Sequence, residues 1–169
     1  ELPEFAEAEK AVQARIDHLM GIKGKKSVDS IHKELGHIMW EYVGMGRTEE
    51  GLKTALKLLK DIRKEFETNL FIPGSTEGVN IELEKALRLN DFITMGELIA
   101  YDALNRNESC GGHFREEYQT EEGEAKRDDE NYFYVSCWEY QGSDDVAPVL
   151  YKEPLVYEAI KVQTRNYKS

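Results

Sequence analysis

The residues best suited to chemistry lie in one short segment, NRNESCGGHFREEY, at positions 105–118. A pair of glycines there would allow the backbone to approach a ligand closely. Ionisable groups gathered in this way can form an active site, or they can form an ion-pair clamp that holds a loop in place. The types and spacing alone leave both interpretations open. The four ionisable candidates are Arg106, Glu108, His113 and Arg115.

Two more specific chemistries fit the sequence poorly. Cys110 could act as a nucleophile with His113 as its base, but no residue supplies an orienting third group or an oxyanion hole. Cys110, His113 and Cys137 offer three zinc-type ligands, whereas a structural site normally needs four. His32 and His37 are five residues apart and do not share one helix face. We therefore predict no catalytic residue and no metal site.

Other motifs also fail on spacing. GIKGKKS and GMGRTEEG lack the glycine spacing of phosphate and dinucleotide loops, and no strand precedes either of them. The acidic run lacks the alternating ligands of a calcium loop. The aromatic residues at 132–134 and Trp138 are expected to pack within a strand rather than to stack on bases.

Composition narrows the class of protein. The chain has 169 residues, 40% hydrophobic and 33% charged, which indicates one globular domain. A formal net charge of -11 argues against nucleic acid as a partner. Two cysteines and no recognisable signal peptide favour a reducing compartment, and no apolar run is long enough to cross a membrane. The chain begins at Glu1 rather than Met, as a piece of a longer protein would.

Four segments have the apolar periodicity of amphipathic helices. They are residues 4–20, a segment capped by Ser27 that ends at Gly44, a segment that begins at Thr48 and closes at NLFIPGSTEG, and residues 81–105 after Asn80. The last of these carries apolar residues around much of its circumference, so we expect it to have neighbours on more than one side.

The character of the chain changes after residue 105. Residues 116–130 contain eight acids and are predicted to form a solvated loop. NYFYVSCWEY predicts a strand, and the alternation at Val149 and Tyr151 predicts a second one that ends at Pro154. The predicted fold class is mainly α: a bundle of three to four helices, then a short β-strand pair and an extended C-terminal tail. We expect the bundle (1–107) and the remainder (108–169) to form one structural unit.

The chain resembles the flavoprotein subunit of succinate dehydrogenase and fumarate reductase. RNESCGGHFREEY resembles the R-x-E-S-R-G-x-H-x-R-x-D segment of that family, and RDDENY resembles its R-D-D-E-N-W. The ending Arg165–Tyr167 resembles its closing R-x-Y, and the helical residues 31–62 are similar to the start of its C-terminal helical domain. L-aspartate oxidases share the E-S-R-G-x-H segment, but RDDEN and the tail favour the dehydrogenase/reductase branch.

The match is close but incomplete at the central motif. Cys110 stands where the family has arginine, so one inter-domain charge contact is in question, and Glu117 replaces an aspartate. The residues that agree with the motif are Arg106, Glu108, Ser109, Gly111, His113 and Arg115.

The resemblance implies a non-catalytic domain. In the family, the FAD-binding and substrate-capping domains precede this region, so this chain is expected to hold no cofactor itself. FAD would be in the parent subunit and iron–sulfur clusters in a partner subunit. The expected partners are the flavin-binding domain of the same polypeptide and the iron–sulfur subunit. The expected location is cytoplasmic, peripheral at the inner face of the membrane through partner subunits and without direct membrane insertion. The alternatives are the C-terminal domain of an L-aspartate oxidase-like flavoprotein, or an autonomous helical interaction module.

The resemblance also suggests a role for the ionisable cluster. Arg106, Glu108, His113 and Arg115 are expected to fix the loop after the fourth helix against the flavin domain or a partner subunit. In the isolated chain these pairs are expected to be exposed, each contributing only about 0–1 kcal/mol. The chain is expected to fold alone.

Overall fold

The structure is a computed structural model that describes residues 2–142 and 146–163. It confirms a mainly α architecture in which a helical bundle precedes a short antiparallel strand pair and an extended tail. The predicted resemblance at Arg165–Tyr167 lies outside the described residues. The long helices are α1 (Pro3–Gly21), α2 (Val28–Val43), α3 (Glu49–Asn69) and α4 (Ile81–Asn105).

Side-chain caps explain where three of these helices begin. The Ser27 hydroxyl accepts a hydrogen bond from the amide of Ser30 at the start of α2. Thr48 caps α3 in the same way, and the Asn80 side chain accepts from the Leu83 amide at 3.0 Å in α4. Each cap satisfies one amide that has no partner within its helix. All three predicted starts are confirmed.

Helices α2, α3 and α4 pack against one another around a single core. The face that α4 buries is unusually rich in small residues, which allows close helix–helix approach. At Gly96, for example, an added Cβ would lie 3.2 Å from the sulfur of Met39. The prediction that this helix has neighbours on more than one side is confirmed. The buried residues of α4 are Ala86, Leu89, Ile93, Gly96, Ala100 and Ala103.

Helix α1 is joined to the bundle mainly through its C-terminal half. Leu19 is its one buried residue in the described part of the chain, while Phe5 and Val12 of its apolar stripe are exposed. Arg15 lies against α4, where it donates to the Leu87 carbonyl and lies 3.5 Å from Asp91. None of the helices in the described ranges combines the length and apolar character required to cross a membrane.

Six short strands in the described ranges form three two-stranded pairings. They are β1 (Lys26–Ser27), β2 (Gly46–Arg47), β3 (Leu70–Phe71), β4 (Phe114–Arg115), β5 (Tyr134–Glu139) and β6 (Val149–Pro154). Strands β1 and β3 are parallel, as are β2 and β4, whereas β5 and β6 form the predicted antiparallel pair. The two-residue parallel pairs were not predicted, because they are too short to show any periodicity.

The segment predicted as a solvated loop has more order than expected. It turns back on itself through a bridge between Gln119 and Ala125, and then forms one short helix, α5 (Asp129–Tyr132). The β5–β6 pair docks on the end of α4, where the indole of Trp138 donates to Asp102 at 2.8 Å. The same indole packs edge-on against Tyr101.

We expect Gly24→Ala to destabilise the bundle, because a Cβ at this position would lie 2.0 Å from the backbone of Asn69. Overpacking that cannot be relieved by a side-chain rotation costs about 1–3 kcal/mol or more. Gly21→Ala is the matched control, since a Cβ there meets nothing within 4 Å, and alanine favours the last turn of α1. Urea unfolding followed by circular dichroism measures both variants, and equal stabilities would contradict the packing argument.

Candidate functional site

The chain reverses direction immediately after α4. The amide of Cys110 donates to the His113 carbonyl at 2.8 Å, and the amide of His113 donates back to the Cys110 carbonyl at 3.0 Å. Gly111 between them has a φ of 59°, in the left-handed region that favours glycine. The glycine pair therefore makes a tight hairpin turn, and Cys110 is exposed at its base.

Arg115 is the most buried charged residue described, with 0% of its surface exposed. Its guanidinium donates to the carbonyls of Ala103 at 3.0 Å and Leu104 at 3.3 Å, within the last turn of α4. Carbonyls at a helix C-terminus have no amide partner within the helix and carry partial negative charge, so a cation stabilises them. Arg115 therefore caps α4 from the hairpin that follows it.

Glu117 extends this contact to a second helix end. Its carboxylate accepts from Arg115 Nε at 3.1 Å and from the backbone amide of Glu49, the first residue of α3. Burial alone would raise the pKa of Glu117, but hydrogen bonds, including those from the Glu49 amide and from Arg115, outweigh it and leave the pKa below its ordinary value. The Arg115–Glu117 ion pair thus joins the negative C-terminal end of α4 to the positive N-terminal end of α3.

Ser109 holds the two arms of the hairpin together from inside. It is fully buried, and its hydroxyl both accepts from the Arg115 amide at 2.8 Å and donates to the Arg115 carbonyl at 3.0 Å. The backbone amide of Ser109 donates to the Lys126 carbonyl at 2.9 Å. A hydroxyl can donate one hydrogen bond and accept others, so Ser109 serves as a side-chain substitute for a strand pairing.

Glu108 and Arg106 connect the hairpin to the strand pair. The Glu108 carboxylate, which is 3% exposed, accepts from Arg106 at 2.7 Å and from the Asp128 amide at 2.9 Å. Arg106 also donates to the carbonyls of Tyr132 and Tyr134, both at 3.0 Å. Its guanidinium lies within cation–π distance of both tyrosine rings. These contacts fix the residues that enter β5.

His113 links the hairpin to the turn that precedes α3. Its Nε2 lies 2.9 Å from the Arg106 carbonyl, and its Nδ1 lies 2.8 Å from the guanidinium of Arg47. A carbonyl can only accept and a guanidinium can only donate, so the ring is neutral, with its proton on Nε2. Burial, followed by the charges of Arg47, Arg115 and Arg106, lowers the pKa of His113, although the Arg106 carbonyl opposes this.

The structure brings all four predicted residues into this one network, but it corrects their expected exposure. Arg115 and Glu108 are buried within the chain itself, so the expectation that these pairs are exposed is wrong for both. The physical reason is that the hairpin folds back onto the end of α4, whose carbonyls need donors. The docking role of Arg106, Glu108, His113 and Arg115 stays a prediction.

One member of the network was missed from the sequence. Arg47 contacts His113, donates to the Gly44 carbonyl at 3.1 Å, and lies beside Arg115 in the β2–β4 register. Burial lowers its pKa. An arginine directly after the glycines that end α2 was the available signal, but local sequence could not show that residues 113–115 return to it.

The donors and acceptors of this network are already in use. Every buried side-chain nitrogen and oxygen in residues 2–142 and 146–163 has a hydrogen-bond partner. No group of three His, Cys, Asp or Glu side chains converges in that part of the chain in a way that could hold a metal ion. What the arrangement does chemically is to hold one conformation of the loop.

Comparison with known proteins identifies the family. The profile described as "Fumarate reductase flavoprotein C-term" matches residues 32–167. The chain belongs to this family. It is 29% identical over 146 residues to the fumarate reductase flavoprotein subunit of Helicobacter pylori, which covers 86% of this chain and 20% of the relative.

Two further relatives show the breadth of the similarity. An L-aspartate oxidase of Nicotiana tabacum is 37% identical over 88 residues, 52% of this chain and 13% of the relative. A quinol–fumarate reductase solved with menaquinol superposes with a TM-score of 0.74 at 25% identity, over 92% of this chain and 26% of that one. The chain spans about a fifth or less of the curated relatives that it matches.

We expect Arg115→Ala to lower the free energy of unfolding by about 3 kcal/mol, because it leaves buried carbonyls and Glu117 without their cation. Arg88→Ala is the matched control. Arg88 pairs with Glu84 on the exposed side of α4, so its loss should cost less than about 1 kcal/mol. Urea unfolding of the two variants compares them directly. Similar small losses would show that the Arg115 contacts contribute no more than a surface pair.

Proposed function

We propose that this chain is the C-terminal helical domain of a flavoprotein subunit that interconverts succinate and fumarate, and that it packs on the flavin-binding domain of the same polypeptide. The observation that carries the proposal is the family match over residues 32–167, supported by relatives several times longer than this chain. FAD would be bound by the parent subunit, and iron–sulfur clusters by a partner subunit. This chain would hold no cofactor and no catalytic residue.

An exposed apolar surface on α4 supports the docking part of the proposal. Phe92, Met95 and Ile99 are 44%, 52% and 43% exposed and are spaced three, four and seven apart, so they share one face of the helix. We call these three residues the α4 stripe. A contiguous apolar surface of this kind is typical of an interface.

The neighbours of the α4 stripe leave it open rather than covered. Helix α1 contacts α4 through Arg15, at Leu87 and Asp91, and the strand pair covers the end of α4 through Trp138. His32 of α2 stacks on Phe92, and Trp40 further along α2 is 83% exposed. The middle of α4 is therefore available to the flavin-binding domain.

The buried network would assist docking indirectly. Arg115 ties the hairpin to α4 and Arg106 ties it to the strand pair, which favours residues 1–107 and 108–169 acting as one structural unit. We propose that Arg106, Glu108, His113 and Arg115 fix the shape that the flavin-binding domain meets. The iron–sulfur subunit would then assemble on the combined surface. Such an assembly would lie at the cytoplasmic face of the membrane, with this chain held there by its partners.

A second candidate function is the C-terminal domain of an L-aspartate oxidase-like flavoprotein. The Nicotiana tabacum relative favours it, because its identity of 37% exceeds that of the Helicobacter pylori subunit, although over a shorter stretch. An autonomous helical interaction module is the remaining alternative. A longer polypeptide with a flavin-binding domain would exclude the autonomous module.

We expect flavin to be bound by the longer polypeptide and not by this chain alone. The purified chain should show no absorbance near 450 nm, roughly where flavins absorb. The longer polypeptide, immunoprecipitated from its native source, should contain flavin and reduce a dye with succinate. Turnover of L-aspartate instead of succinate would favour the second candidate. Stoichiometric flavin on the isolated chain would contradict the proposed division of roles.

We expect Met95→Glu to lower flavin retention in the longer polypeptide, because it would bury an unpaired charge at the interface. The same substitution should leave the stability of the isolated chain nearly unchanged, since Met95 is half-exposed there. Val79→Glu is the matched control, because Val79 is also exposed but lies in the loop before α4, away from the α4 stripe. Equal flavin contents in the two variants would rule out the α4 stripe as the docking face.

A further inference from the structure

The hairpin after α4 closes on His113, whose ring lies near three arginines. The His113 ring lies between the Arg47 guanidinium of β2 and the carbonyl of Arg106 at the end of α4. The charge of Arg115 on β4 also acts on it. The nearby carboxylates bond to groups other than the His113 ring: Glu108 to Arg106, Glu117 to Arg115, and Asp102 to the Trp138 indole.

The ring cannot gain a proton without losing a contact. Nδ1 accepts a hydrogen bond from Arg47. A proton on Nδ1 would remove that acceptor and place two N–H donors opposite each other. It would also place a fourth positive charge among Arg47, Arg106 and Arg115, and like charges that close repel. The closed hairpin therefore requires neutral imidazole.

We propose that His113 makes residues 106–115 an acid-sensitive latch, which is closed on Arg47 while the imidazole is neutral and opens when the imidazole is protonated. Opening separates the His113 ring from Arg47 and releases the parallel pairing of Gly46–Arg47 with Phe114–Arg115. The bundle stays folded, because the hydrophobic core is formed by α1 to α4 and the β3 region and includes no hairpin residue.

The direction of the pH response follows from linkage. In the closed hairpin the pKa of His113 is lowered, whereas in the open hairpin it returns to its ordinary value of about 6.5. The closed form is thus fully favoured above that ordinary value. It loses stability as the pH falls towards the lowered pKa. Glu117, whose pKa is lowered in the closed hairpin, adds to this loss only as the pH approaches the ordinary carboxylate value at the acid end of the range.

The test is an NMR titration of the 169-residue chain between pH 8 and 4.5. The ring signals of all four histidines and the amides of Cys110 and His113, which bond to each other when the hairpin is closed, are followed together. We expect loss of the paired amide signals with a midpoint below 6.5 that coincides with the titration of His113. Each tenfold weakening of proton binding in the closed form should raise the opening equilibrium about tenfold at acid pH.

Three variants separate the imidazole from other acid-sensitive groups. His113→Gln keeps one donor and one acceptor without a titrating ring, so the opening step should disappear. Arg47→Gln removes a cation that faces the ring, so the His113 ring should titrate at higher pH in the closed form, and the opening at acid pH should become smaller. His37→Gln is the matched control, because His37 is exposed on α2, and it should leave the midpoint unchanged.

Two results would overturn the latch. The first is a His113 ring that titrates while the Cys110 and His113 amides keep their closed-state signals. The second is an opening step that persists unchanged in His113→Gln, which would assign it to the carboxylates. The His113→Gln variant could itself be open at neutral pH. In that case two other measurements decide the outcome: whether the ring and amide midpoints coincide in the wild type, and whether the ring titration shifts in Arg47→Gln.

Discussion

The carbonyls at the end of α4 need hydrogen-bond donors that the helix cannot supply. Arg115 meets this need from a loop beyond the helix, and Glu117, two residues later, meets the opposite need of the amide at the start of α3. A single short segment therefore neutralises two helix ends of opposite polarity. Because both ends are fixed in the bundle, the segment has one place to lie, and the hairpin, the loop and the strand pair take their positions from it.

The polar side chains of this network form a fully buried inner layer and a partly buried outer layer. Arg115, Ser109 and Glu108 are the buried polar residues of the described chain, and all three lie between the end of α4 and the chain that follows it. Each has partners that complete its hydrogen bonding, which is what makes burial of a polar group tolerable. Arg106 and His113 are partly buried and connect this inner layer to the strand pair and to Arg47. A buried polar layer of this kind selects one loop conformation, because other conformations would leave its donors and acceptors unpaired. Apolar packing alone is less selective.

The helices could be predicted from the sequence because their signals are local. Ser27, Thr48 and Asn80 are capping residue types at the right distance before apolar periodicity, and each starts a helix as predicted. The contacts of Arg47 could not be predicted, because they depend on where residues 113–115 return in space. Burial of Arg115 was missed for a related reason: charge favours the surface, and only the position of the α4 carbonyls reverses that preference.

The polar network and the α4 stripe differ in how completely contacts within the chain satisfy them. The network is complete within the chain, since every buried polar side-chain atom of the described residues has a partner, so it needs nothing from outside. The α4 stripe differs, because Phe92, Met95 and Ile99 remain half-exposed on one face of their helix. Apolar area gains free energy when it is covered, whereas a satisfied ion pair gains little from a new partner. A docking surface is therefore expected on the middle of α4, and the buried charges of the network are expected to fix the shape of that surface.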